Sequence, residues 1–202
     1  MRIPKRETNL KNKEIAQNSD NLILVYQDEV HFQQQTSVTS KWYKKGSKPK
    51  VKSYPGKSNI SYSGFVIPET GVLFTDSPEK FDYLTSIASL RAFLKDSPAP
   101  ENKKYAIVMD NAPWHKKMYR LIVTEKSDEY SDIRDKVEFI LLLPYSPDLN
   151  PIEQVWRITR RKNTHNVFFE SIESLKSTVD TAFSQWHTPN EQLRSLCSRM
   201  YK

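Results

Sequence analysis

The chain has 202 residues and a formal net charge of +7, with 37% hydrophobic and 11% aromatic residues. That length and apolar content suffice for one sizeable packed domain and exclude general disorder. No apolar run nears the ~20 residues a membrane helix needs, the N-terminus lacks a signal-peptide core, and the lone Cys197 excludes internal disulfides and multi-cysteine metal sites.

These features predict a reducing, intracellular setting: cytoplasmic, and nucleoid-associated in a prokaryote. Residues 1–20, polar and mixed in charge, read as a linker or flexible arm, with residues 21–202 as one domain. Residues 22–26 form an apolar run that reads as a buried strand ending at Asp28. Residues 36–45 and 58–67 alternate loosely, and residues 72–74 make a short further piece. Gly46, Gly56, Gly64 and Gly71 fall between these pieces or at their bends, which predicts antiparallel hairpins. So few glycines leave no phosphate-cradling loop and argue against a nucleoside-triphosphate cofactor.

The positive charge sits in one place. Lys41, Lys44, Lys45, Lys48, Lys50, Lys52 and Lys57 follow one another with no acid between them, and without these seven the chain carries 24 basic against 24 acidic residues. Trp42, Tyr43 and Tyr54 lie among them. Lysines neutralise phosphates and aromatic rings stack on bases, so the segment suits nucleic acid, against the blander reading of a solvated hairpin.

A helix is predicted over 79–95, where Phe81, Leu84, Ile87, Ala88, Leu90, Phe93 and Leu94 make a stripe that Pro98 and Pro100 close. Residues 105–109 read as a second buried strand, ending at Asp110, with a short helix after Pro113. Residues 125–136 are charged surface material, and residues 137–143 form a third buried strand. Pro144, Pro147 and Pro151 then forbid regular structure until a helix begins near Asn150, with Pro151 at its first position and Glu153 one turn in. Asn150 and Glu153 also have capping-box spacing, so Glu153 has a purely structural reading too. An amphipathic helix over 170–187 completes the chain. The order predicts an α/β fold: a mixed sheet, antiparallel hairpins followed by parallel strands, with helices on both faces.

Asp28 and Asp110 end two apolar strands, and Glu153 lies just beyond a third. In open α/β sheets such strand ends gather into a site. Three converging carboxylates repel one another and need divalent cations to stay ionised, and oxygen ligands favour Mg²⁺ or Mn²⁺. Glu29 competes with Asp28, but strand alternation turns the two to opposite faces, so only one of them is expected in the site.

Gln27, Asp28, Glu29 and His31, then Asp110, Asn111, Ala112 and His115, then the run Pro144 through Glu153 resemble the three blocks of the IS630/Tc1-mariner transposases. Trp42, Gly46 and Pro49 resemble the stretch that follows the first block, and the likeness runs from about residue 22 to 165. The resemblance implies a ribonuclease-H-like fold and a catalytic, metal-binding triad of Asp28, Asp110 and Glu153 holding two Mg²⁺, with Mn²⁺ able to substitute. It also implies hydrolysis at transposon ends, strand transfer of the freed 3′-hydroxyl into target DNA, and a homodimer in the DNA complex. Two departures stand out. Forty-two residues separate Asp110 from Glu153, a longer spacing than is usual, which fits a surface insertion around 127–136. Only about 20 residues precede the first strand, where the family carries helix-turn-helix modules. A catalytic half is expected, with DNA recognition supplied from elsewhere, by frameshifting from an upstream frame or by a separately encoded helix-turn-helix half.

His31, Asn111 and His115 are secondary candidates, as ligands or as orienters of water or phosphate, against the reading of loop hydrogen bonding. Arg157 and Arg160 lie on the helical face of Glu153 and join Lys41, Trp42, Lys44, Lys45, Lys48, Lys50 and Lys52 as candidate DNA contacts, or else pair with Glu153. Trp156 reads as core. Two alternatives stay open: an inactive, DNA-binding remnant, and a ribonuclease-H-like nuclease without strand transfer.

Overall fold

The computed structural model describes residues 20–40, 42–47, 50–53, 55–142 and 150–198. The arm at 1–19, Lys41, Lys48, Pro49, Tyr54 and the proline-bearing stretch 143–149 lie outside them. Five strands form one sheet: β1 (Leu22–Gln33), β2 (Asn59–Ile67), β3 (Val72–Asp76), β4 (Lys104–Met109) and β5 (Val137–Leu141). Their order is β3-β2-β1-β4-β5. The pairs β1–β2 and β2–β3 are antiparallel, whereas β1–β4 and β4–β5 are parallel. The predicted mixed sheet is therefore the observed one.

β1 is longer than the apolar run at its start. Past Tyr26 it continues with Val30 and Phe32 turned into the core and His31 and Gln33 exposed, the two-residue alternation of a half-buried strand. Asp28 is consequently inside the strand rather than at its end. What does end there is the parallel pairing, since β1 faces β4 only from Leu22 to Tyr26 and runs on beside β2 alone.

Helix α1 (Tyr83–Asp96) begins four residues later than its stripe suggests, because Asp82 accepts the N–H groups of Leu84 and Thr85 while Thr85 caps in return. Helix α2 (Pro113–Tyr119) and a π-helical turn at Arg120–Thr124 follow β4. The stretch expected to be plain surface contains a 3₁₀ turn and the short α3 (Ser131–Arg134), anchored by buried Tyr130 and Ile133. Helix α4 (Ile152–Thr159) runs into a second π-helical turn at Arg160–Thr164, and α5 (Ile172–Ser184) matches the last predicted helix. A further helix, α6 (Glu191–Ser198), was not expected. Asn190 starts it by accepting the Leu193 N–H, and Leu193 and Cys197 are buried beneath it.

The sheet separates two cores. On one face Tyr26, Val30, Phe32 and Val66 pack against Val155 and Trp156 of α4 and against α5 and α6. On the other, Val25, Phe65, Ile107 and Met109 pack against α1, α2 and α3. Asp28 shares the parity of Tyr26 and Val30 and belongs to the α4 face, whereas Glu29 shares that of Val25 and belongs to the α2 face. No helix among the described residues is long and apolar enough to cross a membrane. The predicted strand over 36–45 is not formed, since the described residues of the β1–β2 connection have no regular structure. Gly64 lies mid-strand rather than at a bend.

Candidate active site

Asp28 sits two residues past the last β1–β4 pair, opposite Gly64 of β2. The indole of Trp156 crosses that position, and its Nε1–H donates to Asp28 Oδ2 at 3.1 Å. Only glycine permits this crossing, because a Cβ at residue 64 would stand 2.4 Å from the indole ring. Glu153 precedes Trp156 by three residues on α4 and so shares its side of the helix. The start of α4 is tied to β1 by buried Asn150, whose amide donates to the Gln27 carbonyl at 3.0 Å and whose Oδ1 accepts the Ile152 N–H at 3.3 Å. Pro151 is thereby the cap rather than the first helical residue, and no side-chain bond from Glu153 completes the expected capping box. Burial, then the Glu153 and Glu29 carboxylates, push the Asp28 carboxyl up to about 8, against hydrogen bonds from the Glu29 N–H and the Trp156 indole.

Asp110 follows β4 directly and is half-exposed, with its Oδ1 accepting the Ala112 N–H at 2.9 Å. The same oxygen meets Nδ1 of His115 at 2.7 Å, while His115 Nε2 meets Glu29 Oε1 at 2.9 Å. Glu29 is further held by Trp114 Nε1–H at 3.3 Å and Gln27 Nε2–H at 3.0 Å. A ring with a carboxylate oxygen at each nitrogen is best served by two N–H donors, so His115 is an imidazolium here. Burial alone would lower its pKa, but the hydrogen bonds to Asp110 and Glu29 outweigh it and push it up to about 9. The His115 ring in turn holds the Asp110 carboxyl below its usual range, against partial burial. Glu29, expected to be outside the site, reaches it from the opposite face of the sheet through His115.

Against a metal centre of hard divalent ions, the donor chemistry and the electrostatics fit. Asp28, Glu29, Asp110 and Glu153 bring four carboxylates toward one end of the sheet, and His115 supplies one cation, which faces Glu29 and Asp110. Among the described residues no cationic side chain offsets the repulsion between Asp28 and Glu153, which a proton on Asp28 or a divalent cation relieves. Among the described residues no group of three His, Cys, Asp or Glu side chains is arranged to hold one ion.

The secondary candidates divide. His31 is exposed on the Glu29 face, with Nδ1 at 3.1 Å from the Ser61 hydroxyl and its ring against Phe81. Asn111 donates its amide to the Leu142 carbonyl, joining the ends of β4 and β5 instead of facing water. Arg160 donates to the His31 carbonyl at 3.3 Å and lies over the Phe32 ring. Arg157 is exposed, and no ion pair with Glu153 is made by either arginine among the described residues. Trp42, Lys44, Lys45, Lys50 and Lys52 are exposed on the β1–β2 connection, and Lys41 and Lys48 lie outside the described residues. The base of that connection is stitched to the segment after α4. Gln34 donates to the Phe169 carbonyl, the Thr36 hydroxyl bonds the Val167 carbonyl, and Asn166 exchanges bonds with Ser37 and Thr39.

Residue-by-residue reading placed Asn150 at the helix start but missed its bond to the Gln27 carbonyl, the close approach at Gly64 and the Asp28 contact of Trp156. Trp156 was within reach, because it follows Glu153 by three on a helix. The Glu29–His115 pair spans 86 residues, and nothing in a single sequence announces it.

The family model of the DDE superfamily endonucleases matches residues 23–176. The fold is similar to the crystal structure of the Mos1 mariner paired end complex with Mn, at 16% identity and a TM-score of 0.65, covering 98% of this chain and 58% of that one. The mariner Mos1 paired end complex with Mg matches at 18% identity and a TM-score of 0.61, covering 99% and 61%. The Mos1 Strand Transfer Complex matches at 15% identity and a TM-score of 0.61, covering 98% and 59%. The shared feature is the ribonuclease-H-like fold, and the chain spans about three-fifths of the length of these relatives. No curated protein matches the sequence.

Proposed function

The chain belongs to the DDE superfamily endonucleases, and from that membership we propose that it is the catalytic domain of an IS630/Tc1-mariner DNA transposase. What supports the reading is that Asp28 lies where the parallel pairing of β1 and β4 ends, that Asp110 follows β4 directly, and that the Glu153 carboxylate helps to raise the Asp28 carboxyl. Asp28, Asp110 and Glu153 would hold two Mg²⁺ or Mn²⁺, which when bound supply activation of the attacking oxygen and stabilisation of the leaving one. Trp156 and Asn150 fix the Asp28 and Glu153 carboxylates, and His115 fixes that of Asp110. Lys44, Lys45, Lys50, Lys52 and Arg157, joined by Lys41 and Lys48, bind the phosphates of duplex DNA, with Trp42 free to stack. Arg160 supports β1 rather than DNA.

In this reading the domain cleaves phosphodiesters at transposon ends and passes the freed 3′-hydroxyl to a target duplex, as a homodimer on DNA. End recognition in this reading falls to a helix-turn-helix module, and the work is done in the cytoplasm or on the nucleoid. Asp28→Asn, Asp110→Asn and Glu153→Gln should each abolish Mg²⁺-dependent cleavage while duplex binding in EDTA persists; cleavage surviving in any of them overturns the assignment. An assay offering a pre-cut 3′-hydroxyl end and a target duplex separates a transposase, which yields joined products, from a nuclease, which does not. That no three such side chains among the described residues are grouped to hold an ion favours one competing reading, a DNA-binding remnant without chemistry. Calorimetric titration with Mn²⁺ in the presence of DNA decides it, since a remnant shows no carboxylate-dependent binding.

A further inference from the structure

Among the described residues the Asp110 carboxylate is held through one oxygen only. Its Oδ1 takes both the Ala112 N–H and His115 Nδ1, and among the described residues nothing hydrogen-bonds to Oδ2. His115 is fully buried, so its ring direction is set by what its second nitrogen meets, and that is Glu29 Oε1 at 2.9 Å. Glu29 is itself fixed from two further sides by Trp114 and Gln27. Trp114 and His115 are adjacent in α2, and both converge on the same Glu29 oxygen. The helix is thereby pinned to β1 across the end of β4. In metal sites, a group that orients a ligand and is itself oriented acts in this way, and its loss commonly weakens metal binding by about 10- to 100-fold.

The geometry points to Glu29 and His115 as a positioning relay that reaches from the opposite face of the sheet and fixes Asp110 with Oδ2 open to a divalent cation. The relay rests on the proposed metal site and adds two residues to it that touch neither metal nor DNA. It accounts for the paired acids at residues 28 and 29: alternation sends Asp28 to the α4 face as a ligand and Glu29 to the α2 face to orient a different ligand.

Two isosteric substitutions separate the two ring nitrogens of His115, because each keeps one of its hydrogen bonds and loses the other. In His115→Gln the amide nitrogen falls near the Nε2 position and the Asp110 contact is lost; in His115→Asn it falls near Nδ1 and that contact is kept. With the full chain and Mn²⁺ as the probe, free Mn²⁺ is followed by electron paramagnetic resonance. His115→Gln should weaken binding about 10- to 100-fold, and His115→Asn distinctly less. Glu29→Gln should weaken binding in the wild-type background and add nothing further in His115→Gln, because it acts through the ring. Duplex affinity in EDTA should stay unchanged throughout.

Mn²⁺ affinity at or above the wild-type level in His115→Gln overturns the relay, as does a full additive effect of Glu29→Gln. A fall in melting temperature with unchanged Mn²⁺ affinity would assign the pair to folding alone and also overturn it. If His115→Gln does not fold, His115→Asn and Glu29→Gln carry the test: the relay predicts weaker Mn²⁺ binding in Glu29→Gln than in His115→Asn, and equal affinities in the two overturn it. Asp28→Asn is the control for the underlying reading. Mn²⁺ binding that survives Asp28→Asn, or is absent from the wild type, removes the metal site and the relay with it. Binding lost in Asp28→Asn yet intact in His115→Gln removes the relay alone.

Discussion

Burying Asp28 beside the Glu153 and Glu29 carboxylates raises its carboxyl to about 8 and sets it against the stability of the metal-free chain. The folded state keeps this proton more tightly than the unfolded state, in which an aspartate titrates near 3.8. Between those values the unfolded chain binds fewer protons, so the Asp28 contribution to stability falls as pH rises from about 4 and is lost by about 8. Asp28→Asn removes the charge while keeping the shape. Its melting temperature without metal should exceed that of the wild type at pH 8, and the gap should close as pH falls toward 4. Adding Mg²⁺ at pH 8 should raise the wild-type melting temperature and leave Asp28→Asn unmoved. A variant less stable than the wild type at pH 8 would show that Asp28 serves the fold instead. Cys197 belongs to the opposite category: burial pushes its thiol up to about 12, so it packs and does not react.

At the scale of elements, the site depends on how closely α4 lies on β1 and β2. Gly64 and Trp156 set that approach, and Asn150 closes it with two buried hydrogen bonds. Gly64→Ala should destabilise the chain by about 1–3 kcal/mol, the usual range for overpacking. In denaturant melts, the loss should shrink when combined with Trp156→Phe, whose smaller ring vacates the contested space. Full additivity of the two would show that the indole is not what residue 64 meets. Asn150→Ala should cost about 1–3 kcal/mol through the unsatisfied Gln27 carbonyl. It should also lower cleavage more than duplex affinity, since Glu153 leaves its place while the lysines do not. The elements were largely legible because apolar runs and breakers mark β4, β5, α1 and α5 locally. The strand through Asp28 was undercalled for the reason that three polar residues, Gln27 to Glu29, interrupt its apolar run, although Val30 and Phe32 resume the alternation. Helix α6 was missed because eight residues give too few turns for a periodic signal, even with Asn190 capping it. Gly64 shows the harder limit, because a mid-strand glycine that accommodates a helix 92 residues away looks, in sequence, like a bend.

Across the whole molecule, positive charge is segregated from the acids along one strand. Beyond Asp28, β1 runs to Gln33, where the lysine-bearing connection leaves the sheet. Gln34, Thr36, Ser37 and Thr39 are bonded to residues 166–169, so the root of the connection is fixed relative to α4. A polyanion held by Lys44, Lys45, Lys50 and Lys52 is therefore drawn toward the sheet end where the carboxylates meet. The acids would otherwise repel it. Each phosphate contact releases counterions, and the logarithm of duplex affinity falls with the logarithm of salt by about 0.9 per contact. Replacing the four lysines by alanine should weaken duplex binding most at low salt and flatten that slope by about 3 to 4. Mn²⁺ binding measured without DNA should be unchanged, because among the described residues none of these four lysines pairs with the carboxylates. An unaltered salt slope would reassign the segment to solubility and transfer phosphate binding to the exposed Arg157 side of α4. A flattened slope together with lost Mn²⁺ binding would show instead that the connection helps to fold the site it feeds.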